Sequence, residues 1–369
     1  MKNTAVFLEQ EKILKVKDIE LPELTEGLLL EVYAAGVCGT DPHIIDGSRS
    51  TALPIVMGHE FYGRIVEISS NCHVNITKGS LEKNKLITIV PGKICGICYY
   101  CINYPGQEHL CISRKIYGVN LQSNAFPYAT GGFSQYVIIR NGYHVHPVPD
   151  DWEWGLGVLL EPFSVGIRAA YKAIEYHKIK LNDSSKRYKA VIQGLGTIGM
   201  SILLTLSNFK NIDIYVVEPI DHRLNLAIKY GAKAVFKLDD SSYFFDDIKN
   251  KLSIPGFDMV FESAGTLEAV NQSFLLVRRG GCIIEVGNFA DVGSISLSPS
   301  FICRNDIAFI GSVLGEPYLY EHAEALINKI KNNAKDFLGP VYNIHEVSNA
   351  IDNVEKTKHG LKTLIALKK

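Results

Sequence analysis

The sequence lacks the features of several protein classes. Its 38 basic and 39 acidic residues give a formal net charge of −1, so no excess of charge predicts binding to nucleic acid or to an acidic membrane surface. No apolar run approaches the roughly 18 residues of a membrane span, and residues 1–12 lack the apolar stretch of a secretory signal. Internal repeats and low-complexity segments are also missing. We therefore expect a cytoplasmic protein that binds neither nucleic acid nor membranes.

The composition is that of a folded protein with more than one domain. The chain has 369 residues, and 47% of them are hydrophobic, which is enough to form a core. Since domains usually contain roughly 100–200 residues, we expect two or three of them.

A group of metal-binding residue types lies between Val37 and Glu60. Cys38, His59 and Glu60 offer sulfur, nitrogen and oxygen, a set that suits zinc. Three protein ligands with a vacant fourth position are typical of a catalytic zinc site. Taken singly, a cysteine or histidine is more often a packed core residue, so the prediction depends on the segments that follow.

Four of the eight cysteines are close together. They are Cys95, Cys98, Cys101 and Cys111. In a long chain without a secretory signal, this spacing favours four thiolates around a structural zinc ion over a set of disulfides. Cys72, Cys282 and Cys303 have no metal-like partners in the sequence, and we expect them to be buried free thiols.

The hydrophobic pattern predicts two kinds of structure in succession. Residues 1–150 contain short strands without regular helices, at 27–34, 63–68, 85–91 and 131–139, which favours a barrel-like β domain. A helix is expected over 159–176. From Tyr188 onwards strands alternate with helices, which predicts a doubly wound parallel sheet.

A glycine-rich turn lies between the first strand and helix of this alternating region. It reads Gly194-Leu195-Gly196-Thr197-Ile198-Gly199, and Glu218 ends the next strand. Glycines of this spacing allow a tight turn, close approach of a pyrophosphate and close packing of helix on strand. A strand-end acid accepts hydrogen bonds from ribose hydroxyls and favours NAD over NADP, although Arg223 could meet a 2′-phosphate.

In order and combination these motifs resemble those of the zinc-containing medium-chain dehydrogenases, the broad alcohol dehydrogenase family, and most closely the sorbitol/polyol and threonine dehydrogenase branch. The resemblance implies an α/β protein in which a GroES-like β-barrel domain, 1–160 and 317–369 with a zinc lobe at 91–115, is combined with a Rossmann domain at 161–316. It implies an active site in the cleft between these domains, and a homodimer or homotetramer.

The resemblance also assigns ligands to the catalytic zinc. It makes Cys38 and His59 the central ligands, and Glu60 an acid that binds the metal or lies beside it. Glu161 matches an acid of the polyol-type members, although an acid at a helix N-terminus is an alternative explanation. Asp41 is expected to orient the ring of His59, as groups behind metal-bound histidines usually do.

Further residues match positions that handle protons or the cofactor in the family. Thr40 would accept the proton of the substrate hydroxyl, and His43 would pass it towards solvent; a surface histidine is the alternative for His43. Lys362 resembles the basic residue that meets the cofactor pyrophosphate, with a solvated lysine as the alternative. Gly265, Val286 and Gly287 fall at strand ends, where the ligand crevice of such a sheet lies.

The predicted function is hydride transfer between NAD and a secondary alcohol of a polyol, cyclitol or sugar derivative, with two zinc ions per chain. Sorbitol dehydrogenases carry a substrate-contacting arginine in the region of Gly311–Pro317, where this chain has Glu316, which argues against sorbitol itself. A threonine-type amino-alcohol dehydrogenase and a dinucleotide-binding protein without catalysis are the alternatives.

Overall fold

The chain divides into two compact units in a computed structural model. Unit 1 consists of Met1–Glu161 and Gly315–Lys369, and unit 2 is Pro162–Leu314. The boundaries predicted from the sequence lie one and two residues away from these. The structure describes residues 1–124, 130–181, 185–239, 241, 243–354 and 360–368. In these ranges no helix is both long and apolar enough to cross a membrane.

Unit 1 is built mainly from strands. Its strands are β1 (Lys2–Gln10), β2 (Ile13–Glu20), β3 (Leu28–Gly36), β4 (Ile55–Val56), β5 (Glu60–Ile68), β6 (Asn75–Ile76), β7 (Leu86–Val90), β8 (Gly92–Lys93), β9 (Lys115–Ile116), β10 (Tyr136–Ile139), β11 (His144–Pro147), β18 (Leu338–Asn343) and β19 (Lys362–Ala366). Its helices are α1 (Thr40–Ile45), α2 (Tyr99–Asn103), α9 (Leu319–Ile330) and α10 (Val347–Asp352). Short 3-10 helices lie at Glu108–Leu110, Leu156–Leu159, Lys331–Asp336 and Ile344–Glu346.

The main sheet of unit 1 joins the two chain segments. Its strand order is β18-β19-β3-β5-β7-β11-β6, and β10 also pairs with β3. Strand β3 is buried along most of its length because it has neighbours on both edges. A smaller sheet has the order β2-β1-β4, and β8 pairs with β9. The β-rich architecture confirms the fold class predicted for this part of the chain.

Three strand ends meet at one place in this sheet. Strand β3 runs antiparallel to both β5 and β19, so its last residues lie beside the first residues of the other two. Gly36 is paired with Glu60 on one side and with Leu364 on the other. Cys38 follows β3 directly, and His59 precedes β5. The topology therefore collects residues that are far apart in the sequence.

Unit 2 alternates strands with helices. Its strands are β12 (Tyr188–Gln193), β13 (Ile212–Glu218), β14 (Ala234–Lys237), β15 (Phe257–Glu262), β16 (Val277–Glu285) and β17 (Ala308–Gly311). Its helices are α3 (Leu160–Tyr176, which begins two residues before the unit does), α4 (Thr197–Leu206), α5 (Asp221–Lys229), α6 (Phe244–Leu252), α7 (Leu267–Leu276) and α8 (Pro299–Asn305).

The sheet of unit 2 is parallel throughout, with the order β14-β13-β12-β15-β16-β17. The order reverses at β12, where a doubly wound sheet forms its ligand crevice. Strands β13 and β15 are fully buried, as expected for strands that are covered by helices on both faces. The predicted doubly wound parallel sheet is thus confirmed.

Some predicted details were wrong. The strand expected at 131–139 begins only at Tyr136, because Gly131 and Gly132 pack directly against residues 56 and 61, with no room for a Cβ atom. The N-terminal hairpin of β1 and β2 was not predicted. Cys303 is exposed rather than buried, since α8 buries none of its residues.

Candidate active site and cofactor site

The ligand atoms of Cys38, His59 and Glu60 all lie within 4.8 Å of one another. A thiol, an imidazole and a carboxylate at this separation form a donor set that fits zinc. His59 and Glu60 are buried, and Cys38 is half-buried. The structure thus brings together the three residues that the sequence suggested as ligands, at the junction of β3, β5 and β19.

The carboxylate of Glu60 forms a buried ion pair with Lys362. The lysine Nζ lies 2.8 Å from Oε1 and 2.7 Å from Oε2, and both side chains are almost completely buried, at 1% exposed for Glu60 and 5% for Lys362. Gly36 makes room for the pair, because a Cβ atom there would lie 2.4 Å from Glu60 Oε2. The predicted contact of Lys362 with a cofactor pyrophosphate stays a prediction.

Asp41 connects the Cys38 backbone with the ring of His59. Its Oδ2 accepts a hydrogen bond of 2.9 Å from Cys38 N, and its Oδ1 lies 3.7 Å from His59 Nδ1. Burial raises the pKa of Asp41 to about 6. Since Nδ1 faces Asp41, the other ring nitrogen of His59 is left for a metal. The separation is long for a hydrogen bond, so Asp41 acts on the ring mainly through charge.

The metal-binding group also shifts the pKa of His59. Burial lowers this pKa, but the nearby Cys38, Asp41 and Glu60 raise it by more, to about 10. Glu161, in the first turn of α3, is buried as well, and its pKa is raised to about 7 by burial and then by repulsion from Glu60. Glu161 is not one of the three residues in the compact group. Several acidic groups thus share a small buried volume, which favours a cation among them.

Thr40 and His43 both lie on α1, next to this group. The Thr40 hydroxyl is 3.5 Å from Sγ of Cys38, one of the three residues of the compact group. His43 is half-buried, and its Nδ1 lies 3.1 Å from Ser48 Oγ. Both side chains can exchange protons, as predicted for a relay, but a path from one to the other stays a prediction.

The four clustered cysteines form a second metal-binding group. The Sγ atoms of Cys95, Cys98, Cys101 and Cys111 all lie within 4.8 Å of one another. The pKa of Cys98 is lowered to about 6, first by a hydrogen bond from the Cys101 backbone, whereas burial and the neighbouring thiols raise the pKa of Cys101 to about 12. Four thiolates repel one another without a cation, and four sulfur donors fit a structural zinc ion.

In unit 2 the glycine turn has the geometry of a pyrophosphate cradle. Gly194 has a φ of +83°, and a Cβ atom on Gly199 would lie 2.1 Å from Gly194 O. A Cβ atom on Gly196 would meet nothing within 4 Å, so open space lies next to this residue at the start of α4. The backbone N–H groups of Thr197 and Ile198 lie in the first turn of α4, the part of a helix that suits an anion. The turn therefore fits a dinucleotide.

Glu218 ends β13 and is 1% exposed. Its Oε2 accepts a 2.6 Å hydrogen bond from Leu195 N, and its Oε1 accepts one of 3.1 Å from Ile220 N. Arg223 Nη1 lies 3.7 Å from Oε1, while its buried Nε has no hydrogen-bond partner among the described residues. Two backbone hydrogen bonds thus fix the Glu218 carboxylate beside the glycine turn. The guanidinium of Arg223 lies close to this carboxylate and could bind a phosphate.

The three predicted strand-end residues of the crevice also lie together. A Cβ atom on Gly265 would lie 3.0 Å from Gly287 O, and Val286 N donates a hydrogen bond to Glu262 O. The side chains behind them were not predicted from the sequence. Glu262 accepts from Gly265 N at 2.8 Å, and Asn288 Nδ2 donates to both Glu262 and Glu285. The signal that could have revealed them is that two acids, Glu262 and Glu285, end neighbouring parallel strands.

Comparisons with known proteins agree with this architecture. The alcohol dehydrogenase GroES-like domain matches residues 25–150, and the zinc-binding dehydrogenase domain matches residues 194–331. D-arabitol-phosphate dehydrogenase of Enterococcus avium is 29% identical, covering 91% of this chain and 89% of its own. Sorbitol dehydrogenase of Bacillus subtilis is 28% identical, covering 83% and 81%. An alcohol dehydrogenase structure from Thermotoga maritima has a TM-score of 0.85 at 23% identity, covering 99% of each chain.

We expect the removal of one partner from the buried ion pair of Glu60 and Lys362 to destabilise the protein strongly. Lys362→Met leaves a buried carboxylate without its cation, so the free energy of unfolding of the metal-free protein should fall by about 3–5 kcal/mol. Urea unfolding followed by tryptophan fluorescence measures this. Lys368→Met, which breaks an exposed pair with Glu31, should cost at most about 1 kcal/mol. Equal losses for the two variants would contradict the assignment.

Glu262 should make unit 2 less stable as the pH rises. Burial and then Glu285 raise its pKa from 4.5 to about 8, so between these values the folded chain holds a proton that the unfolded chain has released. Stability should therefore decline as the pH rises from 4.5 through 8, because the unfolded state binds fewer protons. Since one pKa unit corresponds to about 1.4 kcal/mol, the decline should reach a few kcal/mol.

Glu262→Gln, which resembles the protonated acid, should flatten the dependence of the melting temperature on pH between 5 and 9. The exposed acid of α7 provides a control, and Glu268→Gln should leave the wild-type slope in place. A wild-type slope that persists in Glu262→Gln would show that another group is responsible.

Proposed function

This chain belongs to the zinc-containing medium-chain alcohol dehydrogenase family and is an oxidoreductase, and from this premise we propose that it transfers a hydride between NAD and a secondary alcohol of a polyol, cyclitol or sugar derivative. The relatives named above, which act on arabitol phosphate and sorbitol, support this substrate class. A small-molecule alcohol is consistent with a site that is assembled from buried side chains.

One observation carries the proposal. Cys38, His59 and Glu60 converge within 4.8 Å in a buried site, and the second carboxylate of the region, Glu161, is buried too. We propose that Cys38 and His59 hold the catalytic zinc, with Glu60 and Glu161 as further ligands or neighbours. Cys95, Cys98, Cys101 and Cys111 would hold a second, structural zinc, which gives two per chain.

The residues around the proposed metal would have different roles in the reaction. When bound, zinc supplies a Lewis acid that makes a substrate hydroxyl easier to deprotonate. The Thr40 hydroxyl, 3.5 Å from Cys38 Sγ, is placed to accept that proton, and His43 is the next group on α1 that could carry it to solvent. Lys362 balances the charge of Glu60, and Asp41 favours one orientation of the His59 ring.

We propose that unit 2 binds the dinucleotide and that unit 1 is the catalytic domain, with the domain limits 1–160 and 317–369 against 161–316. The pyrophosphate would lie at Gly194, Gly196 and Gly199, on the N–H groups of Thr197 and Ile198. Gly265, Val286 and Gly287 would contact the rest of the cofactor. Glu218 favours NAD, because a carboxylate repels a 2′-phosphate.

NADP is the second candidate for the cofactor. The observation in its favour is Arg223, whose Nε is buried without a hydrogen-bond partner among the described residues and which lies 3.7 Å from Glu218. A guanidinium at that position can bind a phosphate. Glu218, however, stands between Leu195 and Ile220 at the place where the ribose is expected, so we propose NAD as the preferred form.

The basis for an amino-alcohol substrate is weaker than the sequence suggested. Glu316, the acid behind that alternative, is 3% exposed and accepts hydrogen bonds from His109, through both the ring and the backbone. The carboxylate of Glu316 therefore interacts with His109 within unit 1. We also propose a homodimer or homotetramer in the cytoplasm; light scattering of the purified protein would test the assembly.

We expect zinc-loaded protein to reduce NAD with at least one class of secondary alcohol. NADH formation would be followed optically with polyols, cyclitols, sugar derivatives, amino alcohols and simple alcohols, and NADP would be run in parallel. Cys38→Ser should lower kcat/KM by at least about 100-fold, because replacing a ligand weakens both zinc binding and the activation of the hydroxyl. Cys72→Ser, in a half-buried cysteine outside both groups, should retain activity.

Zinc analysis of the same samples makes the result interpretable. Wild-type protein should hold two zinc ions per chain and Cys38→Ser one. Turnover that survives in Cys38→Ser, or wild-type protein that holds only the structural zinc, would contradict the proposed function.

A further inference from the structure

Arg114 is a buried arginine that the reaction described above does not use. It precedes β9 and is 7% exposed. Its side chain lies against the backbone of Gly92, where a Cβ atom would be only 2.2 Å from Arg114 Nε. The absence of a side chain at residue 92 therefore creates the space in which the guanidinium lies. A long charged side chain in such a place needs an explanation, because arginine is rarely buried without a partner.

The segment that carries Arg114 runs beside the proposed zinc ligands. Gly118, four residues later, packs on Gly58, the residue before His59, and a Cβ atom on Gly118 would lie 2.1 Å from Gly58 O. Gly92 begins β8, the strand that pairs with β9. It lies shortly after β7, and β7 pairs with β5, the strand that begins with Glu60. One of the two segments around the guanidinium thus packs on the residue before His59, and the other follows a strand that pairs with β5.

In the part of the chain that the structure describes, the guanidinium lacks partners of its own. Nε and Nη1 are both buried, and neither has a hydrogen-bond partner among the residues that the structure describes. Within the same ranges no carboxylate forms an ion pair with Arg114. Leaving a buried charge without hydrogen bonds costs several kcal/mol, so such groups are normally paired with a residue or a ligand.

Nearby acids act on Arg114 only at a distance. Burial raises the pKa of Glu108, and the positive charge of Arg114 opposes this rise. The same charge opposes the rise that burial causes in the pKa of Tyr143. Among the described residues, neither Glu108 nor Tyr143 forms a hydrogen bond with the guanidinium.

We propose that Arg114 binds an anionic group of the substrate, a phosphate monoester or a carboxylate, while a secondary hydroxyl of the same molecule lies at Cys38 and His59. This inference rests on the proposed function and narrows its substrate class from polyols to anionic polyol derivatives. Arg114 is thus a specificity-determining residue, and it takes no part in the hydride or proton steps.

The chemistry of the guanidinium fits this ligand. Arginine presents planar, parallel N–H donors that match two oxygens of a phosphate or carboxylate. An uncharged hydroxyl would satisfy at most part of this donor set. An oxyanion satisfies the donors and also offsets the cost of burying the charge, so it binds more tightly than a neutral group in the same place.

The test compares matched substrates. Pentitols and hexitols, their terminal phosphate monoesters and the corresponding aldonates would be compared by kcat/KM with zinc-loaded protein. Wild-type protein should prefer one kind of anion to the neutral polyol. In Arg114→Gln the ratio of kcat/KM for that anion to kcat/KM for the neutral polyol should fall about 10–100-fold, mainly through KM, because a charged hydrogen bond is lost. If the ratio falls for the phosphate monoesters, Arg114 binds a phosphate; if it falls for the aldonates, Arg114 binds a carboxylate.

Two further variants separate recognition from structure. Gly92→Ala keeps the charge but its Cβ atom forces the guanidinium to move, so the same ratio should fall in this variant, and it replaces Arg114→Gln should that protein not fold. Lys115→Gln removes a charge from the exposed neighbouring residue and should leave the ratio at the wild-type value. Arg114→Lys should restore the preference only in part, since lysine cannot bind two oxygens with one planar group.

Calorimetric titration with the alditol phosphates and the aldonates provides a readout that does not need turnover. Wild-type zinc-loaded protein should bind one of them at least about 10-fold more tightly than Arg114→Gln does. Equal affinity in the two proteins, or an equal fall of kcat/KM for anionic and neutral substrates, would overturn the assignment of Arg114. Anion binding that depends on Arg114 in a protein without dehydrogenase activity would instead refute the proposed reaction and leave the anion site standing.

Discussion

The buried ion pair of Glu60 and Lys362 is the interaction on which the active-site region depends. It connects the start of β5 with the start of β19. Both strands pair with β3, and Cys38 follows the end of β3. Because two charges are costly to bury, the pair is stable only if both side chains are held in place. Gly36 provides the space for this, since any side chain there would collide with Glu60. The C-terminal segment thereby becomes part of unit 1.

The charges around this pair explain why the site suits a cation. Asp41, Glu60 and Glu161 are all buried near Cys38, and burial raises the pKa of Asp41 to about 6 and of Glu161 to about 7. One lysine cannot balance all of these groups once they are ionised. A divalent metal would add the missing positive charge, and Arg114 lies close enough to contribute to the field without touching the acids.

Local spacing made part of this structure predictable. The ligands of each metal-binding group lie within 25 residues of one another in the sequence, and the glycine turn is confined to six, so the residue types and their intervals were sufficient. The fold class followed from the alternation of strands and helices. What the sequence could not reveal are pairings between distant segments. Glu60 and Lys362 are 302 residues apart, and His109 and Glu316 are 207 apart. The packing of Arg114 against Gly92 depends likewise on the pairing of β8 with β9.

The most direct test of a catalytic metal at Cys38, His59 and Glu60 is anomalous X-ray diffraction at the zinc absorption edge from crystals of the zinc-loaded protein. We expect two strong peaks per chain, one enclosed by the four cysteines and one in contact with Cys38 and His59. A single peak among the four cysteines, with density at Cys38 and His59 that shows only water, would contradict it.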